Sequence, residues 1–349
     1  MSDEGLPSCP LPSDGNREVV TLAHGEGARL SRQFIRSRLL TRLGNRWLDE
    51  LGDAAQLPAC ENELVLTTDS FVVSPRFFPG GNIGTLAVYG TVNDLAVSGA
   101  VPRWLTLSMI IEEGFPFAEL DTLLDSIAEA ALRTGVSIVS GDTKVVSRGA
   151  ADGLFLNTAG VGELVAPAPP GPASLQEGDR LIVSGPVAQH GMAIMTIREG
   201  FDFDPVPASD CAPLADAVAA LRNAGVALRC LRDATRGGVA AVLHEWAESR
   251  RFTLTVEEAQ IPVSHEVRGA CELLGLDPIH VACEGTMLLA VPPDQAEAAI
   301  NALRSVPETR RAVDIGEVTQ QTISPVTIRR AGQELPLDEQ SGVPLPRIC

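Results

Sequence analysis

Residues 63–73, ELVLTTDSFVV, are followed by PGGNIG at 79–84 and then by TLAVYGTVNDLAVSGA at 85–100. The first run reads as a strand, rich in β-branched residues and ending in apolar ones. The glycines and the proline mark a turn, and the apolar stretch after them reads as a helix. Strand, glycine-rich turn and helix in succession predict a mixed α/β chain.

The same pattern extends in both directions. Upstream, residues 1–18 are acidic and rich in Pro and Gly, and are expected to be disordered. TLAHGEGARL then leads into a helix expected over 29–51, with Leu30, Phe34, Ile35, Leu39, Leu40 and Leu43 at apolar positions. Downstream, 104–112 reads as a strand, 117–135 as a helix started by Pro116, and VSIVSGD and GLFLNTAGVGEL as strands. APAPPGPASLQEG at 166–178 is the clearest linker. Beyond it come the strand RLIVSG, the helices HGMAIMTIRE and 213–224, and the turn RDATRGG opening the helix VAAVLHEWAE. The expected organisation is a domain over 19–165, the linker, a second domain over 179–335 and a free tail over 336–349 with Gly342 as its pivot. The late prolines favour an extended tail.

Composition narrows the function. With 349 residues and 45% hydrophobic content, the chain can build two real cores. No apolar run reaches the ~18 residues of a membrane helix, and the acidic start lacks a signal peptide's basic and apolar regions. A cytoplasmic, membrane-free protein is expected. A net charge of -18 argues against nucleic-acid binding. The seven cysteines include no CxxC pair, so neither a zinc ribbon nor a disulfide framework is indicated.

The chain has many arginines and a single lysine, Lys144, in GDTK at 141–144. An ammonium is a compact charge with a shiftable pKa, and Arg replaces it in neither role. A surface ion pair with Asp142 is the plain alternative. Asp69, Asp94, Asp142 and Asp233 sit in polar stretches expected to be turns, where carboxylates collect around Mg2+ or simply cap helices. PGGNIG and RGG (236–238) each precede a helix, as anion-binding loops do and as loops with unusual backbone angles also do. Glu284, within the apolar HVACEGTMLLA, either faces solvent at a strand end or has a raised pKa in a site. His24 lies in a glycine-containing turn, and the other histidines read as structural. The chain ends PRIC, placing a thiol on its last residue, Cys349, beside an Arg347 that would favour the thiolate.

Taken together, TTDSFVVSPRFFPGGNIG, YGTVNDLAVSGA, SGDTKVV, LIVSGPVAQHGMAIM, DATRGGVA, ACEGT and terminal PRIC closely resemble the hydrogenase maturation factor HypE family, from about residue 19 to the end. That family belongs with aminoimidazole ribonucleotide synthetase and selenophosphate synthetase. The resemblance implies a two-domain, PurM-like α/β (α+β) fold whose β-rich N-terminal domain forms a homodimer. It implies ATP and Mg2+ bound near the dimer interface. It also implies that the carbamoyltransferase HypF loads a carbamoyl group onto Cys349, and that ATP-dependent dehydration converts the S-carboxamide to a thiocyanate. The HypC–HypD complex then receives the cyanide for the iron of nickel–iron hydrogenase. On these motifs Cys349, Lys144 and Glu284 are the candidate catalytic residues. Asp69, Gly80, Gly81, Asn93, Asp94, Asp142, Thr143, Asp233 and Thr235 are the candidate nucleotide-binding residues, and the four aspartates the candidate metal ligands. Asn82 and Thr85 depart from the family pattern and receive no direct role. The alternatives are another enzyme of the superfamily, such as a selenophosphate synthetase, and a non-catalytic carrier of the carbamoyl or cyano group.

Overall fold

A computed structural model describes residues 18–49, 51–248, 252–340 and 347–349. The expectations placed on 1–17 and on Gly342 fall outside the described residues. A helical segment comes first: α1 (Arg29–Phe34), a π turn (Ile35–Leu39) and α2 (Leu40–Leu43). It stops short of the expected residue 51. Gly44 leaves the helical region with ψ 135°, and the Asn45 side chain accepts hydrogen bonds from the amides of Trp47 (3.0 Å) and Leu48 (3.3 Å). Such a local side-chain turn competes directly with helix continuation.

The chain then forms β1 (Leu64–Phe71), the small hairpin β2 (Phe77–Phe78) and β3 (Gly81–Asn82), α3 (Ile83–Val97), β4 (Ala100–Glu112), α4 (Phe117–Thr134), β5 (Ser137–Val146) and β6 (Leu154–Leu164). Four of these strands form one sheet in the order β1-β6-β4-β5, with only β4 and β5 parallel. A parallel pair needs a crossover, and α4 supplies it. Helix α4 buries Phe117, Leu120, Leu123, Leu124 and Ile127 at helical spacing and ends where Gly135 turns left-handed at φ 68°. Each such side chain contributes roughly 1.5–3 kcal/mol of burial. Helix α3 is apolar on every side and is buried nearly all round. It lies between the four-stranded sheet and the second half of the molecule, touching β8 and α6 defined below.

The second half comprises β7 (Arg180–Val183), α5 (Gln189–Arg198), α6 (Ala215–Asn223), β8 (Cys230–Asp233), α7 (Gly238–Glu248), β9 (Phe252–Glu257), α8 (His265–Leu274), β10 (Met287–Val291), α9 (Ala296–Arg304), β11 (Val313–Gln320), β12 (Val326–Arg330) and β13 (Gln333–Pro336). Its seven strands order as β13-β12-β9-β11-β7-β10-β8. No described helix is long and apolar enough to cross a membrane.

Three of the four aspartates are not in turns. Asp69 lies within β1, Asp94 within α3, and Asp142 within β5, which continues through GDTK because it pairs in register with β4 as far as Val146. Only Asp233, the last residue of β8, borders a turn.

Candidate active site

The C-terminal tripeptide lies along residues 72–74. The Cys349 carbonyl accepts from the Val72 amide (3.3 Å), and the Arg347 carbonyl from the Ser74 amide (3.3 Å) and the Arg198 guanidinium. Ile348 is buried, and its carbonyl lies 2.8 Å from Nε2 of His190. Arg347 itself points away from the thiol. Its guanidinium donates to the Val72 carbonyl (3.0 Å) and pairs with Asp152. The expectation that Arg347 would favour the thiolate is therefore corrected; the cation that acts on the thiol is Arg236. Burial, with Glu284 and then Asp69 nearby, pushes the thiol up to about 12. Seated in this way, Cys349 holds its proton and is a poor nucleophile.

Around the thiol, the alternation of β1 turns Asp69 inward toward α3, where Thr91 donates to it at 3.3 Å. Asp94, on the same helix, accepts from Thr67 (2.8 Å). Burial first and the Asp94 charge second raise Asp69 to about 6 and Asp233 to about 7. Asp94 and Asp233 also line a cleft of about 480 Å³ between β1, α3 and β8, with Thr67 and Arg232 on its wall. Glu284 is only 4% exposed, and its Oε1 has no hydrogen-bond partner among the described residues. Burial first, then Asp210, Asp233 and Asp69, hold its carboxyl well above the usual range. Of the two readings open for Glu284, the solvent-facing one is not observed: the carboxyl is buried.

The Glu284 turn is held by residues that sequence reading missed or assigned otherwise. Asp210 accepts from the amides of Glu284 and Gly285, both at 3.0 Å. Asn93 donates to the carbonyls of Ala212 (3.0 Å) and Glu284 (3.2 Å) and accepts from the Leu214 amide (2.8 Å). Asn93 thus makes three hydrogen bonds within the protein, a structural role beside the nucleotide-binding one expected of it. Gly80 and Gly81 have a packing explanation too. A Cβ on Gly80, at φ 92°, would stand 2.5 Å from the Ser209 carbonyl, and one on Gly81 3.1 Å from the Phe78 ring. The helix N-terminus after PGGNIG is already capped: Asn82 accepts from the amides of Gly84 (2.8 Å) and Thr85 (3.1 Å), and the Thr85 hydroxyl accepts from the Asn82 amide (3.0 Å). The two departures from the family pattern form a capping box. Thr235 is half-buried beside Asp233, and its carbonyl accepts from the Gly238 amide (2.9 Å), closing the turn before α7.

Asp142, Thr143 and Lys144 do not join this cluster within one chain. They sit on β5, the opposite edge of the sheet from β1, three strand spacings or about 14 Å away. Lys144 is in register with the outward-facing Ile110, whereas Asp69 faces inward. Lys144 and Asp142 form an exposed ion pair at 3.2 Å. With His24, Gly25, Glu26 and Gly27 they line a separate cleft of about 460 Å³.

The inward group, two carboxyls with raised pKa beside a third and only arginines to offset them, fits a divalent cation by its chemistry. Among the described residues no three ligating side chains are already gathered for a metal.

Residues 51–164 match the N-terminal domain of the AIR synthase related protein family and residues 176–328 its C-terminal domain. Within it, the chain is 44% identical over 338 residues to the carbamoyl dehydratase HypE of Escherichia coli strain K12, covering 95% of this chain and 99% of that one. It superposes on a crystal structure of the hydrogenase maturation protein HypE in complex with ATP with a TM-score of 0.88 at 41% identity, covering 94% and 99% of the two chains. A HypE chain from a HypE–HypF complex matches with a TM-score of 0.77 at 42% identity, covering 90% and 100%. The chain belongs to the carbamoyl dehydratase HypE family.

Proposed function

We propose that this chain is a cytoplasmic ATP-dependent dehydratase that works on a carboxamide carried by its own Cys349. The observation that carries the proposal is the seating of the terminal thiol among Glu284, Asp69 and Arg236, with a buried, unpartnered Glu284 oxygen in the same neighbourhood. A seated thiol with a pKa near 12 does not attack. Loading by a HypF-type carbamoyltransferase therefore belongs to a released tail, in water, and dehydration to the seated one. A tail of ~13 residues can extend to ~40 Å and serves both places.

Once seated, the carboxamide oxygen takes the γ-phosphoryl group of ATP. The C–O bond then breaks with phosphate leaving, and both N–H protons are lost as C≡N forms. Carboxamide and ATP give thiocyanate, ADP, phosphate and one proton. Glu284, whose raised pKa makes its ionised form a stronger base, receives one proton from nitrogen, and the other leaves with the departing phosphate. Arg236 faces the developing negative charge. Mg2+, which one or two of Asp69, Asp94 and Asp233 would hold together with phosphate oxygens, would supply neutralisation of the transferring phosphoryl charge.

The functional unit is a homodimer in this reading. The outward face of the first sheet exposes Leu64, Leu66 and Ile110, with Leu66 at 72%, and it carries Lys144. A second copy packed there would bring its β5, with the outward Lys144 and Asp142, toward the β1 edge beside which the cluster lies. A HypC–HypD complex is the acceptor of the cyano group.

Cys349→Ala tests the core of the proposal. The variant should bind ATP normally and give no thiocyanate. The C-terminal peptide is followed by mass spectrometry after incubation with the transferase, carbamoyl phosphate and ATP. Thiocyanate on any other cysteine of the variant would overturn the assignment, and ADP release coupled to thiocyanate in the wild type separates an enzyme from a carrier.

A further inference from the structure

His190 was expected to be structural, and it is fully buried in the first turn of α5. Its hydrogen bonds nevertheless do not serve the core. Nε2 lies 2.8 Å from the carbonyl oxygen of Ile348, and Nδ1 lies 2.7 Å from the Ser209 hydroxyl. A carbonyl oxygen only accepts, so Nε2 carries the proton. Burial holds the imidazole neutral by lowering its pKa to about 4. Nδ1 therefore accepts from Ser209, whose oxygen in turn accepts from the Cys211 amide (3.0 Å). The backbone of Ser209 is fixed by its amide donating to the Pro79 carbonyl (2.8 Å) and by its close packing on Gly80. Phe78 meets the imidazole edge to face at 5.2 Å.

The ring is thus locked in position and tautomer by groups of the body, and its one outward donor is spent on the residue before the thiol. We propose that His190 is the positioning residue that holds the C-terminal arm in its catalytic seat, with Ser209 setting the imidazole tautomer behind it. The inference rests on the proposed dehydration at Cys349 and adds how the seated state is selected. Recognition runs through the arm's backbone and the buried Ile348 side chain. The seat can therefore hold the arm whether its sulfur bears a proton, a carboxamide or a cyano group. When the arm leaves, the Nε2–H loses its acceptor inside the protein. That biases the arm inward by about tenfold, the effect of one hydrogen bond between neutral groups.

The test uses the full chain with two substitutions. His190→Phe keeps the ring shape and the edge contact with Phe78 and removes both hydrogen bonds; His190→Gln keeps a donor where Nε2 stood. Alkylation of Cys349 by iodoacetamide, followed in the C-terminal peptide by mass spectrometry, reports the released fraction because the seated residue is packed against the core of the body. In the Phe variant alkylation should rise by up to about tenfold as the released fraction grows, and single-turnover conversion of the carbamoylated chain should fall only as far as the seated fraction does, with ATP affinity unchanged. The Gln variant should restore most of both. Wild-type alkylation rates in the Phe variant would overturn the proposal, as would slowed conversion without faster alkylation. Should the Phe variant fail to fold, Ser209→Ala, which frees the tautomer, must itself raise alkylation, and no rise would sink the idea. If the wild-type chain made no thiocyanate, the dehydratase reading would fall, and alkylation would still decide whether His190 holds the arm.

Discussion

A single buried carboxyl, Asp233, shows how function and stability are opposed in this site. It ends β8 at 7% exposure, and burial and the Asp94 charge raise its pKa from 3.8 to about 7. Because the folded-state pKa is above the unfolded one, the folded chain binds the extra proton between those values. The associated stabilisation is complete below about pH 4 and is lost as pH rises through about 7. At pH 8 the ligand-free protein carries a destabilising charge whose cost is on the order of a few kcal/mol. Asp233→Asn should therefore make the ligand-free protein more stable than wild type in urea at pH 8, with the difference vanishing near pH 4, while Mg·ATP-dependent turnover falls. Equal stability at pH 8 would show that Asp233 is not strained by its neighbours. Little of this was legible in the sequence. DATRGG marks a turn and an acid, but the proximity of Asp69 and Asp94, from β1 and α3, is a product of packing. RGG at 236–238 marked a loop before a helix without pointing Arg236 at the thiol, and Asp210 and His190 carried even less signal, since each looks like an ordinary turn or core residue until the fold is known.

At the scale of the element, helix α3 shows what sequence spacing can and cannot deliver. The glycine turn and apolar run located the helix, and its start at Ile83 follows from Asn82. What the pattern could not decide was whether its first-turn amides bind an anion. The capping box answers this, because Asn82 takes two of those amides and Thr85 closes the box. Asn82→Ala should lower stability by about 1 kcal/mol in chemical denaturation. It should leave ATP affinity unchanged in calorimetry, and a large loss of affinity would return PGGNIG to the nucleotide site. Strand β5 makes the complementary point. GDTK is polar enough to look like a turn, yet its backbone pairs with β4 in register, so the ladder overrides local composition.

For the whole molecule, the arrangement of the two edges of the first sheet leads to a prediction about assembly. Asp69 and the thiol seat lie at the β1 edge facing inward, and Lys144 lies on β5 facing outward. No side chain of Lys144's length spans three strands and a change of face. If Lys144 takes part in the chemistry proposed above, it must do so across a symmetric interface, where the Cys349 of one copy is served by the Lys144 of the other. Lys144→Ala and Cys349→Ala proteins should each be inactive alone. Mixed in equal amounts and allowed to exchange subunits, half the dimers become heterodimers. Each of these has one site with both wild-type residues and one with neither, so activity should return to about one quarter of the wild-type rate per chain. Multi-angle light scattering on the mixture checks that dimers are present. Recovery of activity in the mixture establishes the shared site. Dimers that exchange and remain inactive would show that Lys144 acts on its own chain or not at all, and the chemical argument from its being the single lysine would fall with it.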